Sequence, residues 1–420
     1  MTFDVAVVGA GILGLGTARE LLLRDPKLKV VIVDKEAGVG VHQTGHNSGV
    51  IHSGIYYAPG SLKAKLCTQG SREMYAFCAE RGIPTDRCGK VIVAVTEDEL
   101  PRLENLHQRG LANGVEGLEM VGPERLHELE PYCVGVKALW SPNTGIVNYS
   151  LVNAAYAEDV QAAGAELLLG REVTGLQTRP DGMTLATSSG EIEAQHVIAC
   201  GGLYADHLAR LTGGASEPQI VPFRGDYWML KPHCRHLARN LIYPVPDPSF
   251  PFLGVHFTRR IEDGSVWLGP NAVLAFAREG YERLHFQSRE LLEALRYPGF
   301  QKLATKYWKT GLAEMIRDFS KTAFLRSLQK YVPSLKASDL EPGPSGVRAQ
   351  ALAPDGTLVD DFVFDVQGTQ VIHVRNAPSP AATSSLAIAR LIADKADEVF
   401  SLATPARRTR ARRKSKEVPS

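Results

Sequence analysis

The sequence lacks the features that mark membrane-spanning, exported or nucleic-acid-binding proteins. Charged residues interrupt every apolar stretch before it reaches the roughly 20 residues that a membrane span needs. The opening MTFDVAVVGA shows no basic segment, apolar core or cleavage site of a targeting peptide. The 47 basic and 46 acidic residues give a net charge of only +1, which favours no nucleic acid partner. We therefore expect a cytoplasmic protein that recognises its partner at a local site.

Cysteine is scarce, and its spacing excludes two further kinds of site. The six cysteines form no C-x-x-C pair, which argues against a disulfide framework and against a zinc cage. We expect reduced, buried thiols and no bound metal. The cysteines are Cys67, Cys78, Cys88, Cys133, Cys200 and Cys234.

The end of the chain is densely basic. Seven of the ten residues from Arg407 to Lys416 are arginine or lysine, and apolar residues are almost absent there. This composition predicts a disordered tail over residues 404–420. Two interpretations stay open: a solvated terminus, or weak attraction to anionic lipid, to which each basic residue can add about 1 kcal/mol. The second would place the protein peripherally on the inner face of the cytoplasmic membrane.

A glycine-rich motif follows the first predicted strand. Residues 3–8 read as a buried strand, 12–23 as a helix and 30–34 as a second strand. Between the first two, Gly9, Gly11 and Gly14 form G-x-G-x-x-G, and Asp34 ends the second strand. The glycines permit a tight turn, close approach of a pyrophosphate and close helix packing, while the carboxylate suits ribose hydroxyls. The motif predicts a dinucleotide site but does not by itself separate FAD from NAD.

The predicted fold is α/β, with a Rossmann-type FAD-binding domain interwoven with an α+β substrate domain on a mainly antiparallel sheet. The placement of this motif at the extreme N-terminus and a second glycine-rich stretch at the other end of the chain favour FAD. The aromatic and proline-rich segments after residue 219 predict the antiparallel sheet. We expect the FAD domain to comprise 1–85, 146–218 and 336–403, and the substrate domain to comprise 86–145 and 219–335.

A polar loop after the second strand, HQTGHNSGVIHSGIYY, holds three histidines within sixteen positions. Its glycines and polar residues are unsuited to a core strand, so we expect it to line a polar site. No cysteine or carboxylate stands at the ligand spacing of a zinc site. A solvated loop with hydrogen-bonded histidines is the alternative.

This loop, together with PFRGDY, FPFLGVHFTR, LGPNAVLAF, GVRAQA and NAPSPAATSS, resembles the L-2-hydroxyglutarate dehydrogenases. The resemblance covers nearly the whole chain and ends in the basic tail. It implies a flavoprotein of the D-amino-acid-oxidase-like class that oxidises L-2-hydroxyglutarate to 2-oxoglutarate with FAD. It further implies that electrons pass to a quinone or to oxygen.

Such a reaction needs cations for two carboxylates and a base for the hydroxyl proton. The resemblance places Arg348 on the substrate carboxylate, where a guanidinium binds two oxygens at once. Arg224 and Arg259 are candidates for the second carboxylate, although Arg224 can equally pair with Asp226. Surface or structural ion pairs are the alternative for all three arginines.

Histidine is the expected base, because its pKa lies near neutral pH. His52, in the loop, is slightly favoured over His256, in GVHF, and each can instead be a core histidine bonded to a backbone carbonyl. Tyr57 and Tyr243 are weaker candidates as hydroxyl donors.

The remaining expectations concern the cofactor, which we predict to be bound noncovalently. The C-terminal segment PSPAATS, which begins at Pro378, is expected to open a helix whose free amides face the N1–C2=O edge of the flavin. Thr44 and Ser48 are expected at the pyrophosphate or ribityl chain, and Val173 at the adenine. The other predicted cofactor residues are Lys35, Asn47, Gly201, Pro378, Ser379, Ala381 and Ala382.

Two rival functions remain open at this stage. A glycine- or sarcosine-oxidase-like amine oxidase would use the same scaffold and the same arginine. A non-catalytic flavin-binding module, recruited to membranes by the tail, would use only the cofactor site.

Overall fold

The computed structural model describes residues 2–247, 254–282 and 285–402, with the backbone alone described at 309–310 and 312–319. The predicted basic tail from Thr404 and the first part of FPFLGVHFTR lie outside the described residues. The strands are β1 (Thr2–Val8), β2 (Val30–Val33), β3 (Val50–Ile51), β4 (Thr85–Asp86), β5 (Lys90–Ala94), β6 (Glu119–Val121), β7 (Lys137–Ser141), β8 (Gly145–Val147), β9 (Glu166–Leu168), β10 (Val173–Arg179), β11 (Gly182–Thr187), β12 (Gly190–Ala199), β13 (Gln219–Leu230), β14 (Leu241–Pro244), β15 (His256–Arg259), β16 (Val266–Gly269), β17 (Val273–Leu274), β18 (Leu340–Leu352), β19 (Val363–Gln367) and β20 (Val371–Asn376). The helices are α1 (Ile12–Arg24), α2 (Leu62–Glu80), α3 (Leu100–Ala112), α4 (Pro123–Leu129), α5 (Tyr149–Ala162), α6 (Ala205–Leu211), α7 (Ser288–Arg296), α8 (Pro298–Phe319), α9 (Lys321–Leu328) and α10 (Ser385–Phe400).

The first sheet has eight strands in the order β10-β11-β12-β1-β2-β9, with β20 paired to β12 and β19 to β20. At its centre β1 runs parallel to β2 and β12, so that Val7 lies between Ile32 and Ile198. All three side chains are fully buried. Helices α1, α5 and α10 pack together on one face of this sheet, and α6 contributes Leu208 to the core on the other. Coverage of both faces explains why the second half of β1, residues 5–8, and all of β2 are apolar.

The second sheet has nine strands in the order β17-β13-β16-β15-β14-β5-β7-β6, with β18 paired to β13. Its pairings are antiparallel except that of β14 with β5. The longest pairing joins β13 and β18 from Gln219 opposite Leu352 to Leu230 opposite Leu340. This architecture confirms the predicted fold class. One boundary differs, because β18 belongs to this sheet but lies inside the 336–403 range predicted for the FAD domain.

A third sheet of three short strands, β3-β8-β4, connects the histidine-rich loop to the segment before β5. All six cysteines are free; Cys67, Cys78, Cys133 and Cys234 are buried, and Cys88 and Cys200 are half-buried. Within the described part of the chain, no helix has the length and apolar character that crossing a membrane requires.

Candidate active site

A cavity of about 1810 Å³ runs from the β1–α1 turn to the face of the second sheet. Its lining comes from both ends of the chain and from both large sheets. The volume exceeds that of pockets for single drug-sized ligands, about 300–1,000 Å³, so it suits a dinucleotide and a small substrate together. All fourteen predicted cofactor residues line it, namely Gly9, Gly11, Gly14, Asp34, Lys35, Thr44, Asn47, Ser48, Val173, Gly201, Pro378, Ser379, Ala381 and Ala382.

The glycine turn forms the cradle at one end of this cavity. Gly9 has φ +109°, and a Cβ there would overlap the Cys200 carbonyl. A Cβ at Gly14 would overlap the Gly9 carbonyl oxygen, so the helix and turn require glycine there. At Gly11, in contrast, the nearest atom is Thr44 Oγ1 at 3.4 Å, which leaves open the space that a pyrophosphate needs. The cradle and the helix that begins after it therefore fit a bound dinucleotide.

Asp34 has a structural task in addition to the predicted ribose contact. Its Oδ2 accepts a hydrogen bond of 2.6 Å from the Ala10 amide, and its Oδ1 accepts one of 2.9 Å from the Glu36 amide. The carboxylate thus ties the glycine turn to the end of β2. Each carboxylate oxygen can accept more than one hydrogen bond, so a ribose hydroxyl remains compatible with this arrangement.

Lys35 and His42 belong to a charged cluster that begins directly after Asp34 and borders the cavity. The Lys35 ammonium group pairs with Glu36 and lies 2.5 Å from Glu279, and His42 lies 2.9 Å from Glu36. Burial lowers the pKa of Lys35, but both carboxylates raise it by more, so the net shift is upward. Lys35 therefore lines the cavity while its charge is neutralised by protein groups.

Asn47 shapes the histidine-rich loop. Its Nδ2 donates to the carbonyl oxygens of Gln43 and Thr44, at 3.1 and 2.6 Å, and its Oδ1 accepts from the Gly49 amide at 2.8 Å. The side-chain amide is thus used to fold the loop, and both of its Nδ2 protons are engaged there. The Thr44 hydroxyl accepts from the Ile12 amide at 3.1 Å and so joins this loop to the start of α1.

His256, at the start of β15, lines the end of the cavity against the second sheet and is buried. Its Nδ1 is 2.9 Å from the Gly254 carbonyl oxygen, which can only accept, so Nδ1 carries the proton and Nε2 keeps its lone pair. The ring stacks on Tyr243, with centroids 4.0 Å apart. Burial lowers the pKa of His256 to about 3, with smaller effects from nearby charges. At neutral pH the residue is therefore a neutral imidazole with a free acceptor nitrogen.

His52 lines the same end of the cavity, directly after β3. Its amide donates to Thr383 Oγ1 at 3.1 Å, which joins the histidine-rich loop to the C-terminal segment. In the described part of the chain its buried Nδ1 has no hydrogen-bond partner. Its pKa lies well below the ordinary value, first because of burial and then because of the charges of Lys90, His256 and Arg348.

Of the three predicted arginines, Arg348 lines the cavity and the other two do not, within the residues that the structure describes. Arg348 pairs with Phe223 on β13, whereas Arg224 pairs with Val347 and therefore projects from the opposite face. Arg224 is buried and bonds to Asp226 Oδ1 at 3.0 Å. The alternative that the sequence left open for Arg224, an ion pair with Asp226, is what the structure shows.

Arg259 is displaced from the cavity for the same geometric reason. It stands three positions after His256 on β15, and an odd spacing places the two side chains on opposite faces of the strand. Its guanidinium donates to the Arg239 carbonyl oxygen at 2.8 Å and lies 3.4 Å from Asp86. Neither Arg224 nor Arg259 is thus placed to bind the second carboxylate.

Sequence reasoning missed part of the wall around the histidines. Tyr56 and Tyr227 line the cavity alongside Tyr57 and Tyr243. Lys90, at the start of β5, lies behind this wall with its Nζ 4.2 Å from the Tyr243 ring centroid. A lysine that opens an apolar strand looks in sequence like a solvated strand end. Its burial depends on β7 and β14, which flank it and follow much later in the chain.

The C-terminal segment from Pro378 to Thr383 lines the cavity, but it is a turn, and α10 begins only at Ser385. Within it the Ala381 amide donates to the Pro378 carbonyl oxygen at 3.0 Å. Among the described residues, the amides of Ala382 and Thr383 donate no hydrogen bond. The expectation that a helix opens at Pro378 was therefore wrong, because the turn comes first. Free amides at the cavity remain available to stabilise negative charge.

Comparison with known proteins agrees with this geometry. A family model described as FAD-dependent oxidoreductase matches residues 4–395. The chain is 54% identical over 418 residues to a mitochondrial L-2-hydroxyglutarate dehydrogenase of Nematostella vectensis, covering 95% of this chain and 91% of that protein. It is 49% identical over 417 residues to the Homo sapiens protein of the same name, covering 96% of this chain and 90% of that protein. The FAD-bound L-α-glycerophosphate oxidase of Mycoplasma pneumoniae superposes with a TM-score of 0.77 at 24% identity, covering 96% of this chain and 97% of that one, and shows the shared fold.

Proposed function

The chain belongs to the L-2-hydroxyglutarate dehydrogenases, within the FAD-dependent oxidoreductases, and from that premise we propose that it oxidises L-2-hydroxyglutarate to 2-oxoglutarate. FAD is its cofactor and fits the cradle at Gly11 and the continuous cavity beyond it. The observation that carries the proposal is the convergence of Arg348, His52 and His256 at the end of this cavity. A cation and neutral imidazoles are the groups that a hydroxy acid needs.

We propose that Arg348 binds the carboxylate next to the hydroxyl group. A guanidinium binds both oxygens of a carboxylate in a fixed plane, which orients the substrate as well as attracting it. Its strand neighbour opposite, Phe223, is buried, so the pairing of β18 with β13 fixes the backbone from which the arginine projects.

We propose that His256 takes the hydroxyl proton at Nε2, and that the negative charge of the bound substrate raises its pKa from the low value that burial alone gives it. The Gly254 carbonyl holds the proton on Nδ1 and leaves Nε2 as an acceptor, and the stacking on Tyr243 holds the plane of the ring. When bound, FAD supplies the acceptor for the hydride that leaves the substrate carbon. The sequence slightly favoured His52 as the base. We propose His256 instead, because its tautomer is defined by the hydrogen bond to Gly254.

The free amides of Ala382 and Thr383 support a further part of the proposal. They line the cavity in the C-terminal turn and can donate to an oxygen that gains negative charge during the reaction. The aromatic side chains of Tyr56, Tyr57 and Tyr227 limit the water that reaches the same region.

Anaerobic reduction of the flavin by substrate tests the proposed function. Oxidised flavin absorbs near about 450 nm, and its bleaching reports electron transfer from substrate alone. We expect L-2-hydroxyglutarate to bleach the protein and the D-enantiomer to leave it coloured. Faster bleaching by glycine, sarcosine or proline would make the protein an amine oxidase instead. A protein that keeps its colour with every substrate would be a flavin-binding module without this activity.

The electron acceptor and the membrane are further proposals, supported only by the resemblance and by the basic composition of residues 404–420. We propose that electrons pass to a quinone and that the tail holds the protein at an anionic membrane surface. Reoxidation of the reduced flavin should be compared with a soluble quinone and with oxygen. Deletion from Thr404 should reduce co-sedimentation with anionic vesicles, and the difference from the full chain should shrink at high salt. Equal partitioning of the two chains would remove the role of the tail.

A further inference from the structure

Lys90 is a buried cation against the wall of the substrate site. It begins β5 and is 1% exposed. Its Nζ lies 4.2 Å from the ring centroid of Tyr243 and 5.2 Å from that of Tyr56. Both rings line the cavity, and Tyr243 also stacks on His256. The ammonium group therefore lies close to the space that the substrate would occupy.

Lys90 differs from the other large buried cations in having no carboxylate. Arg278 lies 2.7 Å from Asp206, and Arg375 lies 3.3 Å from Asp365. In the part of the chain that the structure describes, no acidic side chain lies within ion-pair distance of Lys90. An unpaired ammonium group is costly to bury, because it loses its hydration without gaining a counter-charge. An anionic ligand would supply that missing charge.

The chemistry of the proposed substrate calls for such a cation. A 2-hydroxydicarboxylate carries two negative charges, and Arg348 serves one of them. Arg224 and Arg259, the sequence candidates for the other, do not line the cavity in the described residues. The charges of Lys90 and Arg348 both act on His52 and on His256, which places both cations near the two histidines.

This inference rests on the proposed function and deepens it. We propose that Lys90 supplies the second positive charge of the substrate site and thereby selects dicarboxylic over monocarboxylic 2-hydroxy acids. A monocarboxylate would be held by Arg348 alone, while the distal carboxylate of a dicarboxylate is attracted by the ammonium group behind the tyrosine wall.

The ionisation of Lys90 gives this role a pH signature. Burial lowers the pKa of Lys90 to about 7. The neighbouring groups change their charge in other pH ranges. The pKa values of His52 and His256 lie well below their ordinary value, and those of Cys67 and Cys88 are raised by burial. A dianion binds the protonated form of Lys90. Its affinity should therefore be constant below pH about 7 and fall as the pH rises above it.

Binding of glutarate and of butyrate to the FAD-loaded protein, followed by perturbation of the flavin spectrum, tests the proposal. Lys90→Met should weaken glutarate binding by about tenfold or more and change butyrate binding by less than about twofold. Lys90→Arg should retain glutarate binding, and its affinity should not fall above neutral pH, because a guanidinium stays charged. Lys65→Met removes one exposed positive charge from α2 and should match the parent protein with both ligands.

Several results would overturn the role of Lys90. Equal loss of glutarate and butyrate affinity in Lys90→Met would indicate a structural role for Lys90. Unchanged glutarate affinity would show that Lys90 has no role in binding the second carboxylate. If Lys90→Met does not retain FAD, the Lys90→Arg variant alone can contradict the proposal. It does so if its affinity for glutarate still falls above neutral pH, as that of the parent protein should. Failure of the proposed function gives a different result. In that case L-2-hydroxyglutarate would bleach neither the parent protein nor the variants at position 90.

Discussion

The Nδ1 atom of His256 lies 2.9 Å from the carbonyl oxygen of Gly254, two residues before it in the chain. This contact determines which nitrogen of the ring is free. Because a carbonyl oxygen cannot donate, the ring proton is on Nδ1 and the lone pair is on Nε2. In His52 the corresponding Nδ1 is buried without a partner among the described residues, so its tautomer is not fixed in this way.

The first prediction separates the two histidines by their effect on chemistry. His256→Asn should slow single-turnover flavin reduction by about 10²–10⁴-fold, the usual contribution of a general base. His52→Asn should reduce the rate by about tenfold or less, through a change in the shape of the site. Stopped-flow absorbance of anaerobic mixtures at saturating substrate gives both rate constants. The opposite ranking would assign the proton transfer to His52.

The second prediction concerns stability at low pH. The pKa of His256 is lowered by burial from 6.5 to about 3, so the folded protein resists a proton that the unfolded chain accepts. The neutral form therefore contributes stability in full above pH about 6.5, and this contribution is lost as the pH falls toward 3. Urea unfolding of the parent protein and of His256→Asn at a series of pH values should give a shallower pH dependence for the variant. Parallel curves would show that His256 is protonated as readily in the folded state.

The third prediction concerns two glycines of the same motif. In Gly14→Ala the new Cβ overlaps the Gly9 carbonyl oxygen, so the fold itself should be destabilised. In Gly11→Ala the backbone, with φ −78°, accepts alanine, and the Cβ meets only Thr44 Oγ1 at 3.4 Å. Gly11→Ala should therefore keep the stability of the FAD-free protein while it weakens FAD binding, since the methyl group occupies the space of the pyrophosphate. Thermal unfolding without FAD and titration with FAD distinguish the two effects. Similar losses in both variants would contradict this division of roles.

The glycine cradle could be predicted from sequence because its geometry is local. Gly9, Gly11 and Gly14 lie within six residues, and the turn and the helix that they allow depend on few distant contacts. The strand–helix–strand opening and the aromatic, proline-rich segments after residue 219 likewise predicted the fold class. In both cases the residues that determine the structure lie close together in the sequence, so the sequence pattern is enough to predict it.

The errors at the substrate end have a different origin. Whether Arg224 or Arg259 faces the cavity depends on strand register, and a shift of one residue moves a side chain to the other face of a sheet. The aromatic and proline-rich sequence around these strands has no clean alternation from which to read that register. Lys90 was missed because its burial depends on β7 and β14, whose pairing with β5 brings together distant parts of the chain.

The last prediction concerns the ion pair between Arg278 and Asp206, which joins the loop after β17 to the first residues of α6. Both side chains are buried, and the two guanidinium nitrogens lie 2.7 and 2.9 Å from the two carboxylate oxygens. Asp206 also accepts from the Ile220 amide at 3.2 Å, at the start of β13. Asp206→Ala would leave a buried guanidinium without this carboxylate and should lower the free energy of unfolding by about 3–5 kcal/mol. Arg72→Ala, which removes an exposed arginine paired with Glu116, should lower it by less than about 1 kcal/mol. Equal values for the two variants in urea unfolding would show that the buried pair contributes no more to stability than the exposed one.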